Sequence, residues 1–475
     1  MQYKSPFGQI PRHWTVARLR DLTSKIGSGA TPRGGEKAYL QKRQNYALIR
    51  SQSVHDRYFD TSSVSFIADD QAHSLRNAEV RDGDILLNIT GDGVTFGRST
   101  IVPNCVLPAC VNQHVAIVRP VPTLVDAQYL MSFLASPEAK SYIEGFNAGG
   151  SRRAITKGHI ESFEIPLPPL AEQKAIGSIL SSLDDKIELN RRMNETLEAM
   201  AQAIFRDWFV DFGPTRRKLD GATDPVTIMG GLVQDTERAQ ALAELFPAAL
   251  GDDGLPEGWA HRPFGSLLSD TIGGDWGKDT SEGESAHLVA IIRGTDFPEV
   301  EAGGVGKVPT RYTTAKKAAR RKLLPSDILI EVSGGSPTQP TGRSIFITQS
   351  VLDRFNSDVV CASFCRRFRA ISHDSAVLAF EHLRNLYSEG GTWEYQNQST
   401  GISNFQTTHF LEAEKVVFPG EELMEHFASL SGPMIEARYR NESMTLAATR
   451  DLLLPKLMSG EVRIQEAQEV LEAAQ

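Results

Sequence analysis

Basic side chains gather in a few short stretches of this sequence, where they could bind phosphate groups and base edges. Residues 305–322 include seven lysines and arginines and no acidic residue. Arg152, Arg153 and Lys157 form a smaller cluster in the first half. Lysine and arginine bind phosphates, and arginine can also form paired hydrogen bonds with a base. The clusters indicate basic faces for nucleic acid, with ordinary solvated charge as the alternative that composition leaves open.

Motifs for catalysis do not stand out. A phosphate-binding loop needs Gly-x4-Gly-Lys-Ser/Thr, and the glycine-containing segments 273–279 and 303–308 lack both that spacing and the hydroxyl. The segments 166–170 and 333–337 lack the polar leading residue or the aromatic residue of a methyltransferase tetrapeptide. We therefore expect a binding protein that has no catalytic site, metal or cofactor of its own.

The four cysteines allow one metal hypothesis. Cys105 and Cys110, together with Cys361 and Cys365, have spacings that a four-thiolate zinc site could use. They lie beside strand-like runs in separate halves of the chain. Free, buried cysteine is therefore the favoured interpretation.

Composition is that of an ordinary globular protein. The chain has 475 residues, of which 40% are hydrophobic and 23% charged, and a net charge of −9. No apolar run reaches the roughly eighteen residues that a membrane span needs, and residues 1–10 show no basic-then-apolar leader. With so few cysteines, these features predict a cytoplasmic protein with no membrane partner.

The second half of the chain repeats the first. Pro-Arg-His-Trp at 11–14 corresponds to Pro-Glu-Gly-Trp at 256–259. Asp-Ile-Leu-Leu at 84–87 corresponds to Asp-Ile-Leu-Ile at 327–330, and each run reads as a strand that is entered through a turn. The repeat predicts two similar globular domains, each followed by a helical region.

Each helical region carries a heptad pattern. Apolar side chains and asparagines step by four and three through both regions, a spacing that predicts a coiled-coil seam in which asparagine fixes the register. The positions that we expect to pair are Leu183, Ile187, Asn190, Asn194, Leu197, Met434, Asn441 and Met444. Because Asn194 and Asn441 occupy matching places in the two halves, we expect the two helices to pair with each other. The chain crosses a globular domain between them and the repeat is head-to-tail, so we expect the pair to be antiparallel.

The predicted fold class is α+β. Two pseudo-repeated globular domains, at 1–165 and 255–419, are separated by a pair of long antiparallel coiled-coil helices. Residues 166–254 form the central helical region and its linker, with a helix at about 171–210, and residues 420–475 form the C-terminal helical region.

Longer strings in the sequence resemble a known family. They are Ile-Pro-Leu-Pro-Pro-Leu-Ala-Glu-Gln-Lys-Ala-Ile at 165–176, Asp-Trp-Phe-Val-Asp-Phe at 207–212 and Asp-Leu-Leu-Leu-Pro-Lys-Leu-Met-Ser-Gly-Glu-Val at 451–462. With these strings the chain resembles the specificity subunit of a type I restriction-modification system over essentially its whole length. It departs from that pattern at 421–426, where Glu-Glu-Leu-Met-Glu-His stands in place of a second Leu-Ala-Glu-Gln string.

The resemblance implies a function. In such a subunit the two globular domains are target-recognition domains, and each reads one half of a split site in double-stranded DNA. The helical regions bind methyltransferase (modification) subunits, two in number, and restriction motor-nuclease subunits complete the assembly. Methylation and ATP-dependent cleavage then belong to the partners. Alternatives are the recognition subunit of a type IIB-like system, an unusual DNA-modifying enzyme, and a scaffold that does not bind DNA.

The candidate DNA contacts lie on loops that leave the core strands, because a rigid scaffold can aim a loop. In the first domain they are Arg33, Lys42, Arg43, Arg50, Thr90, Arg98, Arg152 and Arg153. In the second they are Lys278, Arg293, Arg311, Lys316, Lys317, Arg320, Arg321, Gln339 and Arg343. Arg50 and Arg293 end matching strands, so their equivalence suggests a structural role as much as a DNA contact.

Overall fold

A computed structural model describes residues 10–148, 152–335, 339–399, 402–440 and 442–473. The chain divides into two compact units. Unit 1 consists of Met1–Leu189 with Thr445–Gln475, and unit 2 consists of Asn190–Met444. One boundary between the units lies inside the long helix that the heptad pattern predicted.

The first half of the chain, up to residue 209, contains mostly short strands and one long helix. The strands are β1 (Thr15–Arg18), β2 (Thr23–Ser28), β3 (Tyr46–Ile49), β4 (Ser65–Ile67), β5 (Glu79–Val80), β6 (Ile85–Asn88), β7 (Thr90–Gly91), β8 (Ser99–Ile101), β9 (Ala109–Val111), β10 (Val115–Pro120), β11 (Arg153–Ala154) and β12 (Glu164–Leu167). The helices are α1 (Leu19–Leu22), α2 (Asp69–Ser74), α3 (Ala127–Leu134), α4 (Pro137–Glu144), α5 (Lys157–Glu161) and α6 (Leu170–Phe209).

The second half adds a linker of short helices before its own strands. The strands are β13 (Ala260–Pro263), β14 (Leu268–Gly273), β15 (His287–Ile292), β16 (Thr310–Thr313), β17 (Asp327–Glu331), β18 (Ser333–Gly334), β19 (Ser344–Phe346), β20 (Asp358–Cys361), β21 (Cys365–Ala370), β22 (Gln396–Ser399), β23 (Ile402–Phe405) and β24 (Lys415–Phe418). The helices are α7 (Gly213–Leu219), α8 (Pro225–Ile228), α9 (Thr236–Leu245), α10 (Phe297–Glu301), α11 (Ala315–Arg321), α12 (Gln349–Leu352), α13 (His373–Ser388), α14 (Thr407–Ala413), α15 (Glu421–Tyr439), α16 (Ser443–Ser459) and α17 (Ile464–Ala473).

Two four-stranded sheets form the centre of unit 1. One is antiparallel, with the order β2-β10-β6-β8, and the other has the order β4-β3-β9-β5, in which β3 and β9 run parallel. Strand β6 is buried along its whole length because Ile85 and Leu87 face one hydrophobic core and Leu86 faces another. A strand that is buried on both faces needs a continuous apolar run, as this sequence has.

Unit 2 repeats most of this arrangement, with one strand fewer in its second sheet. Its antiparallel sheet has the order β14-β21-β17-β19, and its second sheet, β16-β15-β20, again contains one parallel pair, β15 with β20. The entry strand of each half pairs with the exit strand, β1 with β12 and β13 with β24. The α+β class and the pseudo-repeat are therefore confirmed.

The long helix α6 matches the predicted bounds of about 171–210. In unit 1, Leu183 is fully buried and Ile187 partly buried against the core that also contains Leu453 and Leu457. None of the helices among the described residues is both long and apolar enough to cross a membrane.

In unit 2, α6 runs antiparallel to α15. Asn194 Nδ2 donates a hydrogen bond to the Arg438 carbonyl at 3.4 Å, while at the other end of the contact the rings of Phe209 and Phe427 lie 5.0 Å apart. Asn190 and Leu197 are half-buried along this stretch. The predicted antiparallel pairing of helices is thus present in this unit.

The C-terminal heptad pattern does not form one continuous helix. The expected pairing of its last residues is therefore wrong for Met444. Helix α15 ends at Tyr439 and α16 begins at Ser443. Met434 is only partly buried. The fully buried positions of α15 include Ile435 and Tyr439, which belong to the hydrophobic core of unit 2. Met444 is 42% exposed on the first turn of α16. The remaining predicted partner, Asn441, lies outside the described residues.

A carboxylate of α6 holds two arginines in unit 1. Arg57 Nη1 lies 2.9 Å from Asp184 Oδ2, and Arg450 Nη1 lies 2.8 Å from Asp184 Oδ1. The Arg57 and Asp184 side chains are only 5% and 11% exposed. Arg57 belongs to the globular domain and Arg450 to α16, so Asp184 ties the domain and the C-terminal helix to α6.

Unit 2 contains a matching tie. Glu198, two heptads further along α6 than Asp184, pairs with Arg384 of α13 and, at 3.0 Å, with Arg438 of α15. Arg384 also lies 3.1 Å from Glu301 of α10. Charges placed in a low-dielectric site need such mutual compensation, because removing one partner leaves the others buried and unpaired.

Glu381 of α13 is a buried carboxyl group in unit 2. It is 1% exposed, and its Oε1 has no partner among the residues that the structure describes. Gln202 of α6 donates to its backbone carbonyl at 3.2 Å and to its other carboxylate oxygen. Burial raises the pKa of Glu381 to about 7.

We predict that Glu381→Gln removes a pH-dependent loss of stability. A raised carboxyl pKa stabilises the fold fully below the ordinary pKa of 4.5, and this stabilisation is lost as the pH rises through about 7. Between pH 5 and 8 the wild type should therefore lose up to about 3 kcal/mol of unfolding free energy relative to the variant. Urea denaturation at several pH values measures this. Equal pH profiles of wild type and variant would contradict the prediction, and Glu412→Gln, on an exposed residue, is the control.

Candidate nucleic-acid interface

The hairpin β6–β8 of unit 1 projects a loop from the centre of the sheet. Gly97, with φ +76°, donates its backbone N–H to the Asn88 carbonyl at 2.9 Å, and the Asn88 N–H returns to the Arg98 carbonyl at 2.8 Å. The buried Asn88 side chain donates to the carbonyls of Ser51 at 2.9 Å and Thr95 at 3.1 Å. The base of the loop is therefore fixed from inside the domain.

Asp92 holds the tip of this loop. Its Oδ1 accepts hydrogen bonds from the Val94 N–H at 3.0 Å, and from the Thr95 N–H and hydroxyl, both at 2.7 Å. These bonds lower the pKa of Asp92 to about 2, so the turn persists at any physiological pH. Val94 stands at the tip and is 67% exposed.

A short strand pair brings three of the predicted contacts together. Strand β11 pairs with β7, which places Arg153 opposite Gly91 and Ala154 opposite Thr90. The Thr90 hydroxyl lies 2.6 Å from His114 Nδ1, and Arg153 Nε donates to Glu144 at 2.6 Å. Arg152 is exposed and has no hydrogen-bond or ion-pair partner in the part of the chain that the structure describes. Thr90 and Arg152 thus both lie near His114, whereas Arg153, opposite Gly91, points to the other face of the strand pair and contacts Glu144.

The pKa of His114 is lowered by burial and, to a smaller extent, by the nearby Arg152. The neutral imidazole can therefore accept or donate hydrogen bonds at neutral pH. Gln113 Nε2 lies 3.0 Å from its other ring nitrogen. Thr90, His114 and Gln113 thus form a connected polar group with both donors and acceptors.

The other predicted contacts of unit 1 have mixed positions. Arg43 is committed inside the domain, since its guanidinium donates to the carbonyls of Cys105 at 3.0 Å, Val106 at 3.0 Å and Leu107 at 2.9 Å. Arg50 lies over the ring of Tyr39 at 5.4 Å.

Three more cations of unit 1 remain. Arg98 Nη1 lies 3.3 Å from His55 Nδ1. The side chains of Arg33 and Lys42 are exposed and without a partner among the described residues. They are available to solvent, but the structure does not join them to Thr90 and Arg152.

Unit 2 contains the same hairpin with different side chains. Gly342, with φ +100°, donates to the Glu331 carbonyl at 3.0 Å, and the Glu331 N–H returns to the Arg343 carbonyl at 2.8 Å. Glu331 stands where unit 1 has Asn88, and its buried carboxylate pairs with Arg343 at 2.9 Å. Gln339 is exposed on the loop. Arg343 is therefore used to anchor the loop.

Arg293 is also a structural cation. Its guanidinium makes two hydrogen bonds with Asp296, at 2.8 and 2.7 Å, and a third with the Lys307 carbonyl at 2.7 Å. These contacts fit the structural role that the equivalence of Arg50 and Arg293 suggested.

Several basic side chains of unit 2 that look unpaired in the sequence have acidic or aromatic partners in the structure. Arg311 lies over the ring of Trp276 at 4.8 Å and pairs with Asp279. Lys278 pairs with Glu282 at 3.0 Å.

Two further cations of the basic stretch 305–322 have internal partners. Lys317 lies 3.5 Å from Asp275, and Arg321 Nε donates to the Gly273 carbonyl at 3.1 Å. Lys316 and Arg320, one turn apart on α11, are exposed and have no side-chain partner within the described ranges. These two are the best placed of the stretch to meet a phosphate.

Among the exposed aromatic residues that sequence reasoning missed, Phe364 is the most exposed. Phe364, in the turn between β20 and β21, is 62% exposed. Its carbonyl accepts the Val332 N–H at 2.9 Å, just as the His114 carbonyl accepts the Ile89 N–H at 3.0 Å. An alignment of the two halves on the strands before this turn, 109–111 and 358–361, would have revealed the equivalence.

The cysteines are separate thiols. Cys105 is exposed, whereas Cys110, Cys361 and Cys365 are buried. Burial raises the pKa of Cys110 to about 11 and that of Cys361 to about 12. No cluster of three or more metal-ligating side chains occurs among the described residues.

Comparisons with known proteins place this architecture. A crystal structure of the type I restriction-modification S subunit from M. genitalium matches 95% of this chain and 98% of its own, with a TM-score of 0.56 and 13% identity, which shows the fold. The family model for the type I restriction modification DNA specificity domain matches residues 11–199.

Two relatives extend the match in sequence. The specificity subunit of the type I restriction enzyme MjaIX from Methanocaldococcus jannaschii is 23% identical over 98% of this chain and 96% of its own. The HindI specificity subunit from Haemophilus influenzae is 25% identical over 88% and 94%. Residues 11–199 belong to the type I restriction modification DNA specificity domain family, and the chain is similar over most of its length to type I restriction enzyme specificity subunits, as its sequence motifs indicated.

We predict that Asp92→Ala loosens the loop tip of unit 1 without unfolding the domain. The Val94 and Thr95 amides lose their acceptor, so their hydrogen exchange should accelerate about tenfold or more. Hydrogen–deuterium exchange read by mass spectrometry measures this. Asp60→Ala removes a similar turn at Ser62, where Asp60 accepts the N–H at 2.9 Å, and should leave the Val94 segment unchanged. Unaltered exchange in the Asp92 variant would mean that other contacts order the tip.

Proposed function

We propose that this chain is the DNA-recognition subunit of a restriction-modification complex and reads a bipartite target in double-stranded DNA. The observation that carries this proposal is the pair of matching hairpins. Each unit presents the same backbone frame, closed by Gly97 or Gly342, while the loop side chains differ. Two copies of one scaffold with different exposed loops suit the reading of two different half-sites.

The chemistry of the loops fits base recognition. Specificity in DNA binding comes from hydrogen bonds and apolar contacts to base edges, while cations on phosphates position the protein. In unit 1, Thr90 and Gln113 supply polar groups for the first task and Arg152 supplies a free cation for the second. In unit 2, Gln339 and the Lys316–Arg320 pair supply the corresponding groups.

The partners follow from the family. The helical regions would bind methyltransferase subunits, two per chain, and restriction motor-nuclease subunits would join them. Methylation and ATP-dependent cleavage would then take place in those subunits, and this chain would direct them to the target in the cytoplasm. No cofactor is required of it in this role.

Methylome sequencing tests the recognition role. The chain is co-expressed with its modification subunit in a host whose DNA is otherwise unmethylated. We expect a split methylated motif that appears only when this chain is present. Replacing residues 1–165 with the corresponding domain of a relative should change one half of the motif and leave the other half and the gap as they were.

Two outcomes would count against the proposal. A motif that is independent of this chain would assign recognition to the modification subunit. The absence of both a motif and a co-purified methyltransferase would favour the scaffold alternative, in which the globular units bind protein.

The charge of α11 gives a second test. Lys316→Ala combined with Arg320→Ala should weaken binding to all DNA sequences and flatten the dependence of log K on log salt by up to about two, since each phosphate contact contributes a slope of about 0.9. Fluorescence anisotropy between low and high salt measures this. The control is Arg238→Ala with Lys415→Ala, which removes the same charge from other exposed positions of unit 2. A slope equal to that of the wild type would show that α11 faces away from DNA.

A further inference from the structure

The turn before the central strand of each antiparallel sheet occupies one structural position in both units. His114 precedes β10 and Phe364 precedes β21. The Ile89 N–H bonds to the His114 carbonyl at 3.0 Å, and the Val332 N–H bonds to the Phe364 carbonyl at 2.9 Å. Because these bonds join the turn to the first residue of each hairpin loop, the side chain at this position stands beside that loop.

The two side chains at this position have different surroundings. His114 is half-buried and bonded to Thr90 at 2.6 Å and to Gln113 at 3.0 Å. Phe364 is 62% exposed. It is neither a member of the hydrophobic core of unit 2 nor among the partly buried side chains that pack against that core.

The neighbourhood of Phe364 is polar. The Ser333 N–H also bonds to its carbonyl, at 3.3 Å, and the Ser333 hydroxyl bonds to Asn404 of β23. Strand β18 is fixed by its pairing with β23. The Phe364 ring is thus exposed to solvent on a turn that backbone hydrogen bonds fix. It lies next to serine and asparagine side chains that can bond to base edges.

We propose that Phe364 makes the apolar base contact of unit 2, packing its ring on a base or a thymine methyl group in the half-site that this unit reads. The proposal rests on the proposed function. Phenylalanine contacts bases in both ways, against the methyl group in the major groove or as a wedge between base steps. His114 at the same position of unit 1 would offer a polar contact instead, so this position would help to make the two half-sites different.

A matched control lies just beyond the other end of β21. Ile371 follows the last residue of β21, as Phe364 precedes the first, and it is also 62% exposed. The two residues flank opposite ends of β21, so Ile371 lies away from the hairpin loop. Substituting either one removes an equally exposed apolar side chain from unit 2.

The experiment compares Phe364→Ala, Phe364→Tyr and Ile371→Ala in the full chain with its modification subunits. The probes are a duplex with the motif obtained from the methylome and two duplexes in which one or the other half is scrambled. We expect Phe364→Ala to lose at least about fivefold in affinity for the motif, the lower end of what one base contact contributes. The loss should persist on the duplex that keeps only the half-site read by the second domain, residues 255–419. Phe364→Tyr should restore most of the affinity, and Ile371→Ala should bind like the wild type.

Several results would overturn the inference. Equal affinity of Phe364→Ala and wild type for the motif would show that the ring makes no contact. An equal loss on the motif and on the duplex in which the half-site read by residues 255–419 is scrambled would show a contact that is not base-specific. A steeper or flatter salt dependence would point to phosphates instead. If the wild-type complex itself fails to prefer the motif over scrambled DNA, the proposed function fails rather than the role of Phe364.

Discussion

The carboxylates of Asp184 and Glu198 on α6 are the interaction on which the placement of each globular domain depends. Each carboxylate accepts an arginine from its own domain, Arg57 or Arg384, and an arginine from the C-terminal helices. Asp184 is 11% exposed and Glu198 34%, so the loss of a partner leaves a poorly compensated charge above all at Asp184. Each domain is therefore held to its stretch of α6 by ion pairs that also engage a C-terminal helix.

In the hairpins, the backbone hydrogen bonds fix the base of the loop, and the side chains differ between the two units. Glycines with positive φ, Gly97 and Gly342, close both loops in the same way. The residue beneath the loop then differs, a neutral Asn88 in one unit and a charged Glu331 paired with Arg343 in the other. Because the same backbone hydrogen bonds close both loops, the exposed side chains can differ while the base of each loop stays fixed to its sheet.

The repeat made much of the fold predictable, since every strand signal could be checked against a second copy. The long helix α6 followed from its heptads. The interruption between Tyr439 and Ser443 did not, because apolar spacing continues through it while the buried face of α15 is set by contacts with the globular core. The candidate site was harder to predict. Arg311 looks free in sequence, yet its partners Trp276 and Asp279 come from a separate segment that the fold brings against it.

Because the four cysteines are buried to different extents, thiol reagents should modify them at different rates in the wild-type protein. Cys105 is exposed in unit 1, so a maleimide dye added to the folded chain should attach there. The buried thiols react only when their surroundings open. Cys110 lies in unit 1 and Cys361 and Cys365 lie in unit 2. Their modification rates therefore measure local opening of the two units separately, in one sample and without an introduced label.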